Sequence, residues 1–225
     1  MTHYSIAIDG PSGAGKSTLA RALADRLGFF YVDTGAIYRT LGLYIARQGG
    51  DCGQKADVVS RLPEVQISMA YEEDGLQHMI LQGEDVTGAI RENAVSRYAS
   101  QVSAYPEVRT FLLEMQRDLA RTHNVIMDGR DIGTVVLPQA DLKIFLTASV
   151  EERARRRCAE LAARGQRVDL ATVQAEIAQR DYDDTHRAAA PLRKAADAVE
   201  VDTSHMDWEE SLEALLTLVK ERLSL

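Results

Sequence analysis

Four residues near the N-terminus have the types and the spacing of a phosphate-binding loop: Gly10, Gly15, Lys16 and Ser17. They match the pattern G-x-x-x-x-G-K-[ST] at every fixed position. In such a loop, backbone N–H groups and a helix N-terminus surround a polyphosphate with hydrogen-bond donors and partial positive charge. Lys16 is expected to reach the terminal phosphates of a nucleoside triphosphate, and the Ser17 hydroxyl to hold Mg²⁺. The residues predicted to bind the triphosphate are Gly10, Pro11, Ser12, Gly13, Ala14, Gly15, Lys16, Ser17 and Thr18.

The elements around this loop are a short apolar strand at residues 4–8 and a helix at 17–27 with Leu19, Leu23 and Leu27 on one face. This context disfavours the alternative of an accidental glycine-rich turn. Further short apolar strands are predicted at residues 29–32, 125–127, 143–146 and 199–201, with helical segments between them, one of them at 36–48. The pattern indicates an α/β fold with a five-stranded parallel sheet, helices on both faces and ligands at the carboxyl ends of the strands.

Residues 65–87 have a different pattern, in which apolar and other residues alternate. It predicts strands at 65–71 and 76–81, a turn at 72–75 between them, and a third short strand at 86–87. We expect a small antiparallel sheet inserted between helical segments, followed by a helix at 91–103.

Polar residues at the predicted sheet edge are candidates for binding a second substrate. Thr34 offers a hydroxyl and Arg39 a guanidinium about one helical turn later, which suits a phosphate monoester. Alternatively, Thr34 caps the helix and Arg39 lies in solvent. Asp128 ends the strand at 125–127, where other phosphate-loop proteins keep a carboxylate for Mg²⁺, although an ordinary turn aspartate is the alternative.

Two later helices carry charged clusters. Arg180, Asp184 and Arg187 are spaced to share one helix face, either as a salt-bridge ladder or with the arginines on phosphates and Asp184 on a ribose hydroxyl. The other cluster is a dense run of arginines after the strand at 143–146. It forms either a solvated helix face or a site from which one or two side chains close over the triphosphate. The run comprises Arg153, Arg155, Arg156 and Arg157.

Composition limits the partners. The formal net charge of −8 argues against general binding to nucleic acid or an anionic membrane. The sequence has no apolar run of the ~20 residues that cross a membrane. Cys52 and Cys158 lie far apart without metal-ligand spacing, which favours a thiol-reducing, cytoplasmic location. We expect small-molecule ligands and, since nothing in the sequence demands a partner chain, a monomer.

Six segments in order resemble those of the bacterial-type cytidylate kinases, within the nucleoside monophosphate kinase family of P-loop kinases. They are residues 9–17 (DGPSGAGKS), 33–39 (DTGAIYR), 83–91 (GEDVTGAIR), 100–109 (beginning SQVS), 128–136 (DGRDIGTVV) and 180–187 (RDYDDTHR). The resemblance covers nearly the whole chain. It implies ATP-dependent phosphorylation of CMP and dCMP with Mg²⁺ as cofactor.

The same resemblance implies a single P-loop kinase domain over residues 1–225. Its core comprises residues 1–62 and 91–225, its monophosphate-binding insert about 63–90, and its short helical lid about 151–168.

The resemblance also assigns roles to individual residues. The acceptor phosphate would be held by Thr34, Arg39, Arg130 and Arg187, the cytosine recognised by Ser100, Arg109 and Asp131, and the sugar contacted by Arg180 and Asp184. Asp33 and Tyr38 belong to the same CMP-binding set, and Arg155 is expected on ATP. The predicted catalytic residues are Lys16, Arg130, Arg187 and Asp128.

Two other functions remain as alternatives. One is a kinase for a different small acceptor such as UMP, although uracil would place an oxygen, not an amino group, against the Asp131 carboxylate. The other is a non-catalytic GTP switch, since Asp85 and Gly88 match its D-x-x-G motif. No guanine-recognising N-K-x-D motif occurs in the sequence, which disfavours the switch.

Overall fold

The computed structural model describes residues 3–71, 76–163 and 165–225, so the predicted turn at 72–75 lies outside the described residues. The strands are β1 (Ser5–Asp9), β2 (Phe30–Asp33), β3 (Ile67–Tyr71), β4 (Gln77–Leu81), β5 (Glu84–Asp85), β6 (Val125–Gly129), β7 (Leu142–Thr147) and β8 (Val199–Asp202). The helices are α1 (Lys16–Leu27), α2 (Thr34–Arg47), α3 (Lys55–Arg61), α4 (Asn93–Ser103), α5 (Pro106–Thr122), α6 (Val150–Ala163), α7 (Leu170–His186) and α8 (Trp208–Leu223).

The main sheet has five strands in the order β2-β6-β1-β7-β8, and all of its neighbours are parallel. Both of its faces are covered by helices. Ile6 and Ile8 of β1 pack in a cluster with α1 and α8, whereas Ala7 between them packs on the other face in a cluster with Leu113 and Leu119 of α5. Burial on both faces is why these strands have continuous apolar sequences. The predicted α/β fold is confirmed.

The predicted antiparallel insert is also confirmed, as the sheet β3-β4-β5. Its third strand, however, lies at Glu84–Asp85 and not at 86–87. Gln82 and Gly83 both have positive φ (52° and 84°), which produces a two-residue hairpin turn that places Glu84 directly opposite Leu81. Val86 comes after the strand and is buried in the core below it.

The insert packs on α2 and on the end of β2. Met79 and Leu81 share a buried cluster with Ile37 and Leu41 of α2. The buried amide of Gln77 accepts a hydrogen bond from the Asp33 backbone N–H (2.7 Å) and donates one to the Asp33 carbonyl oxygen (3.3 Å). The insert therefore contacts the point where the chain leaves the main sheet for α2.

Two helix starts differ from those expected. Helix α2 begins at Thr34, two residues early, because the Asp33 side chain caps it by accepting from the Ala36 N–H (2.9 Å). Helix α4 begins at Asn93, two residues late, because Ala89–Arg91 form a 3₁₀ turn. None of the helices in the described part of the chain combines the length and the apolar character that crossing a membrane requires.

Candidate active site

A cleft of about 1230 Å³ lies at the carboxyl ends of β1, β2 and β6. Most of the predicted site residues line it, although they come from distant parts of the sequence. These are Ser12, Gly13, Gly15, Lys16, Ser17, Thr18, Asp33, Thr34, Tyr38, Arg39, Ser100, Arg109, Asp128, Arg130, Asp131, Arg155, Arg180, Asp184 and Arg187. Gly10, Pro11 and Ala14 do not line the cleft, because they form the buried back of the phosphate loop.

The phosphate loop leaves β1 at Gly10, where a side chain is sterically impossible. Its φ of 152° lies in a region that favours glycine, and a Cβ there would collide with the carbonyl oxygen of Leu146 in the neighbouring strand. At the other end of the loop, Gly15 (φ 84°) precedes α1 and supplies no side-chain cap. The first N–H groups of α1 are therefore available to an anion in the cleft.

Lys16 is the buried cation of the loop, with 5 % of the residue exposed. Its Nζ donates to the carbonyl oxygen of Pro11 (2.7 Å). Burial, and after it the positive charge of Arg130, lower the pKa of Lys16 well below its usual value. The carboxylates of Asp128, Asp184 and Asp9 oppose this effect without cancelling it, and a phosphate beside the ammonium group would further favour its charged form.

Ser17 and Asp128 form a pair of hard oxygen donors next to Lys16. The Ser17 hydroxyl donates to Asp128 Oδ2 (2.8 Å), and the Thr34 hydroxyl donates to the Asp128 backbone carbonyl (2.7 Å). Burial, followed by the negative charge of Asp33, raises the pKa of Asp128 to about 6. A hydroxyl and a carboxylate beside a phosphate loop are the donor types that Mg²⁺ uses together with nucleotide phosphates, so these residues fit that ion.

The sequence left open that Thr34 caps the helix and that Arg39 lies in solvent, and the structure supports neither alternative. Asp33, and not Thr34, caps α2. Arg39 is not in free solvent, because its Nη2 donates to Asp33 Oδ2 (2.6 Å) and its side chain is largely buried at the cleft wall. Its Nε is buried and has no hydrogen-bond partner among the described residues, so the guanidinium retains an unused donor.

The adjacent end of the cleft contains a network of ion pairs. Asp131 lies between two arginines, with a close ion pair to Arg109 on one side and Arg187 Nη2 3.3 Å from its Oδ1 on the other. Next to it, Arg130 Nε donates to Asp184 Oδ2 (2.7 Å), and Arg187 Nη1 is 4.0 Å from Asp184 Oδ1. The pair of Arg187 and Asp184 lies along the end of α7, whereas the other pairs link separate elements across the cleft, so the network is more than a salt-bridge ladder along one helix.

The arginines make this end of the cleft electropositive. Burial by itself would raise the pKa of Asp184, but the charge and hydrogen bond of Arg130 and the charge of Arg180 outweigh burial and keep that pKa below its usual value. Arg180 is open to the solvent in the cleft, yet the surrounding protein and the charge of Arg130 lower its pKa. Further positive charge there is unfavourable, and an anionic ligand is favoured.

Asp9 holds the backbone next to the ion-pair network in place. Its buried carboxylate accepts from the backbone N–H groups of Ile132 (2.7 Å) and Gly133 (2.8 Å), which fixes the loop that carries Arg130 and Asp131. Burial raises the pKa of Asp9 to about 6, against the opposing effect of these two hydrogen bonds.

The four arginines of α6 have different environments. Arg153 is buried and donates to the Ser12 carbonyl oxygen (2.9 Å), while its ion pair with Asp181 (2.7 Å) braces the same part of the loop. Arg156 binds the backbone oxygen of Thr203 (2.7 Å). Arg155 and Arg157 also line the cleft, and Arg155 is the most exposed, with 70 % of its side chain accessible. Arg155 and Arg157 are therefore the members of the run that can move toward a ligand.

Further residues at the site were not among those predicted. Tyr31 donates a hydrogen bond to Asp128, and Asp181 accepts one from the Ser12 N–H (3.3 Å). Trp208, the only tryptophan of the chain and 48 % exposed, lines the cleft together with Met206. Of these residues, only Trp208 could have been suspected from the sequence. It is an aromatic residue that directly follows the helix cap Asp207 and lies outside the apolar face of α8.

Comparison with known proteins agrees with this geometry. The family model described as cytidylate kinase matches residues 6–221. The chain is 49 % identical over 221 residues to a cytidylate kinase of Desulfitobacterium hafniense, covering 98 % of this chain and 94 % of that protein. It is 51 % identical over 216 residues to a cytidylate kinase of Pelotomaculum thermopropionicum, covering 96 % and 95 %. Among solved structures, an uncharacterized protein from Eubacterium ventriosum aligns over 98 % of this chain and 99 % of its own with a TM-score of 0.52 and 11 % identity, a likeness of fold.

Proposed function

The chain belongs to the cytidylate kinase family of phosphotransferases, and we propose that it transfers the terminal phosphoryl group of ATP to CMP and dCMP. The observation that carries the proposal is that one cleft contains both a complete phosphate loop and, beside it, the arginine–aspartate network. Such a cleft can hold two phosphorylated ligands end to end, as direct phosphoryl transfer requires.

The donor is assigned to the phosphate loop. The backbone N–H groups of residues 12–18 surround the triphosphate, and Lys16 exchanges its contact with the Pro11 carbonyl for the β- and γ-phosphates. Ser17 and Asp128 are the residues that would hold Mg²⁺, which when bound neutralises charge on the phosphates. Met206 and Trp208 follow β8, which lies on the opposite side of β1 from β2 and Asp33, and we assign them to the base of ATP and Arg155 to its phosphates.

The acceptor phosphate is assigned to Thr34, Arg39, Arg130 and Arg187. Arg39 is paired with Asp33, and Arg130 with Asp184. Each guanidinium has donors beyond those used in its ion pair, including the unpartnered Nε of Arg39. A phosphate can thus be bound without leaving either carboxylate uncompensated.

The cytosine is assigned to Ser100, Arg109 and Asp131, and the sugar to Arg180 and Asp184. Asp131 is held in place by two arginines, and its carboxylate has lone pairs left to accept from the exocyclic amino group. Arg109 lies 5.6 Å from the ring centre of Tyr38, which supports the guanidinium from one side. Uracil would place an oxygen against Asp131, so CMP is preferred over UMP.

Catalysis needs little covalent chemistry from the protein. An oxygen of the CMP phosphate is the nucleophile and is already deprotonated at neutral pH, so no general base is required. Lys16, Arg130 and Arg187 stabilise charge on the transferred group, and Asp128 orients the Ser17 hydroxyl. We assign the insert at residues 63–90 and the lid at 151–168 to closing the cleft over the core, which excludes water.

We further propose that the protein acts as a monomer in the cytoplasm. The support for a monomer is that all assigned donor and acceptor residues come from one chain. Two free cysteines and the use of free nucleotides support the location.

An acceptor panel tests the proposal. The purified protein is incubated with ATP, Mg²⁺ and one of CMP, dCMP, UMP, AMP or GMP, and diphosphate formation is measured. We expect CDP and dCDP to form faster than any other diphosphate. Faster phosphorylation of UMP than of CMP and dCMP would refute the acceptor assignment, and tight GTP binding without transfer would favour the nucleotide switch.

A further inference from the structure

Tyr31 carries a buried hydroxyl that none of the roles above uses. It lies in β2 with only 6 % of the residue exposed. Its phenol donates a hydrogen bond to Asp128 Oδ1 (2.9 Å). The other strand residues of the apolar cluster to which Tyr31 belongs are aliphatic, and a phenylalanine would provide the same apolar ring. The hydroxyl therefore requires an explanation besides packing.

The two carboxylate oxygens of Asp128 accept hydrogen bonds from two different hydroxyl groups. Asp128 Oδ1 accepts from Tyr31, and Asp128 Oδ2 accepts from the Ser17 hydroxyl (2.8 Å). Since both partners donate, the carboxylate is held from two sides and cannot rotate without losing a hydrogen bond. The Ser17 proton then points at Asp128, which leaves the lone pairs of Ser17 Oγ free for a cation.

The environment of Tyr31 keeps it in this position. The Arg21 guanidinium lies 5.6 Å from its ring centre, and the Tyr71 hydroxyl donates to its backbone carbonyl (3.0 Å). The phenol is a hydrogen-bond donor at neutral pH.

We propose that Tyr31 is a positioning residue for the metal–nucleotide complex: its hydroxyl fixes the Asp128 carboxylate, which in turn orients Ser17 toward the cation. The inference rests on the proposed function only in taking ATP with a divalent cation as the ligand of the loop. It does not depend on which acceptor is phosphorylated.

The test compares two Tyr→Phe variants of the full-length protein. Tyr31→Phe removes the hydrogen bond to Asp128, and Tyr4→Phe is the matched control, because it removes a partly buried hydroxyl of the same apolar cluster that donates to the Leu223 carbonyl oxygen (3.5 Å) and not to Asp128. Mn²⁺ binding is measured by electron paramagnetic resonance in the presence of a nonhydrolysable ATP analogue and without acceptor. We expect the Mn²⁺ dissociation constant to rise about 10-fold or more in Tyr31→Phe, as outer-sphere partners of metal ligands typically show. In Tyr4→Phe it should change less than about 2-fold.

A double-mutant comparison distinguishes a positioning effect of Tyr31 on Asp128 from a general loss of protein stability. If Tyr31 acts through Asp128, then Tyr31→Phe should have little further effect on Mn²⁺ binding in an Asp128→Ala background. Equal dissociation constants for the two Tyr→Phe variants, or full additivity with Asp128→Ala, would overturn the proposal. A wild-type protein that makes no CDP but binds Mn²⁺ in a Tyr31-dependent manner would refute CMP phosphorylation and leave this inference standing.

Discussion

Replacement of Asp131 by asparagine should reduce the preference for cytosine over uracil. The substitution keeps the size of the side chain but exchanges one carboxylate oxygen for an amide N–H₂ donor. Asp131 is buried between Arg109 and Arg187, so its carboxylate is fixed in the position assigned to the base. The variant therefore changes the hydrogen-bonding character of this site and leaves the phosphate loop intact.

The magnitude follows from two effects. A hydrogen bond from the cytosine amino group to a charged acceptor contributes about 1.5–3 kcal/mol, so CMP should lose roughly 10- to 150-fold in kcat/KM. UMP should gain, because the amide can donate to the uracil oxygen that the carboxylate repels. We expect the ratio of kcat/KM for CMP to that for UMP to fall about 100-fold or more, with little change in the KM for ATP.

The substitution will also reduce stability, since Arg109 and Arg187 lose their shared counter-charge. Breaking a buried ion pair costs about 3–5 kcal/mol, an upper limit here because the amide oxygen still accepts from one arginine. The ratio between two substrates measured on one preparation is independent of the folded fraction. Initial rates of CDP and UDP formation at saturating ATP therefore give the required comparison, with thermal unfolding measured in parallel.

A suitable control is Asp183→Asn, because Asp183 is an exposed residue of α7 whose side chain, within the described part of the chain, hydrogen-bonds only to Gln179. It should leave the CMP/UMP ratio unchanged. An unchanged ratio in Asp131→Asn as well would remove Asp131 from base recognition and refute the reasoning.

Three further predictions concern the loop and its surroundings. Lys16→Ala should lower turnover at least about 10³-fold and retain the circular dichroism spectrum of the wild type. The control is Lys143→Ala, which removes another buried lysine bound to the carbonyl oxygen of the proline five residues before it and should retain turnover per folded molecule. Near-normal turnover in Lys16→Ala would contradict its role. The fluorescence of Trp208 should change when ATP binds and not when CMP binds alone, and the opposite response would reverse the assigned ends of the cleft. Because burial raises the pKa of Asp9 from 3.8 to about 6, the native state binds the proton of Asp9 more tightly than the unfolded chain does. The free energy of unfolding of the wild type, measured in urea relative to Asp9→Asn, should therefore fall by at most about 3 kcal/mol as the pH rises from about 4 to about 6. A rise over this range would contradict the assignment.

The main features of the fold could be predicted from the sequence because they depend on local patterns. The apolar strands of the main sheet have continuous hydrophobic runs, and the alternation in residues 65–81 is that of a sheet with one buried face. Element ends were less predictable. The start of α2 depends on Asp33 as a cap, and the start of α4 on a preceding 3₁₀ turn, and neither follows from hydrophobic periodicity.

The location of the site residues was predictable, but their partners were not. Spacing along α6 places Arg153 beside other arginines, yet its partner Asp181 lies 28 residues later on α7, and the contact makes Arg153 a buried brace and not a mobile side chain. Likewise, the pairing of Arg39 with Asp33 depends on the capping conformation of Asp33. Tyr31 has no sequence signal, because a tyrosine in an apolar strand is equally consistent with packing alone.

We propose that one cleft binds ATP and CMP end to end and that the terminal phosphoryl group moves directly between them. Incubation of the protein with Mg²⁺, CMP and ATP labelled in its γ-phosphate tests this claim most directly. We predict that the label appears in the β-phosphate of CDP, with one ADP formed per CDP. Label that remains in ATP, or that is released as inorganic phosphate without CDP formation, would contradict the account.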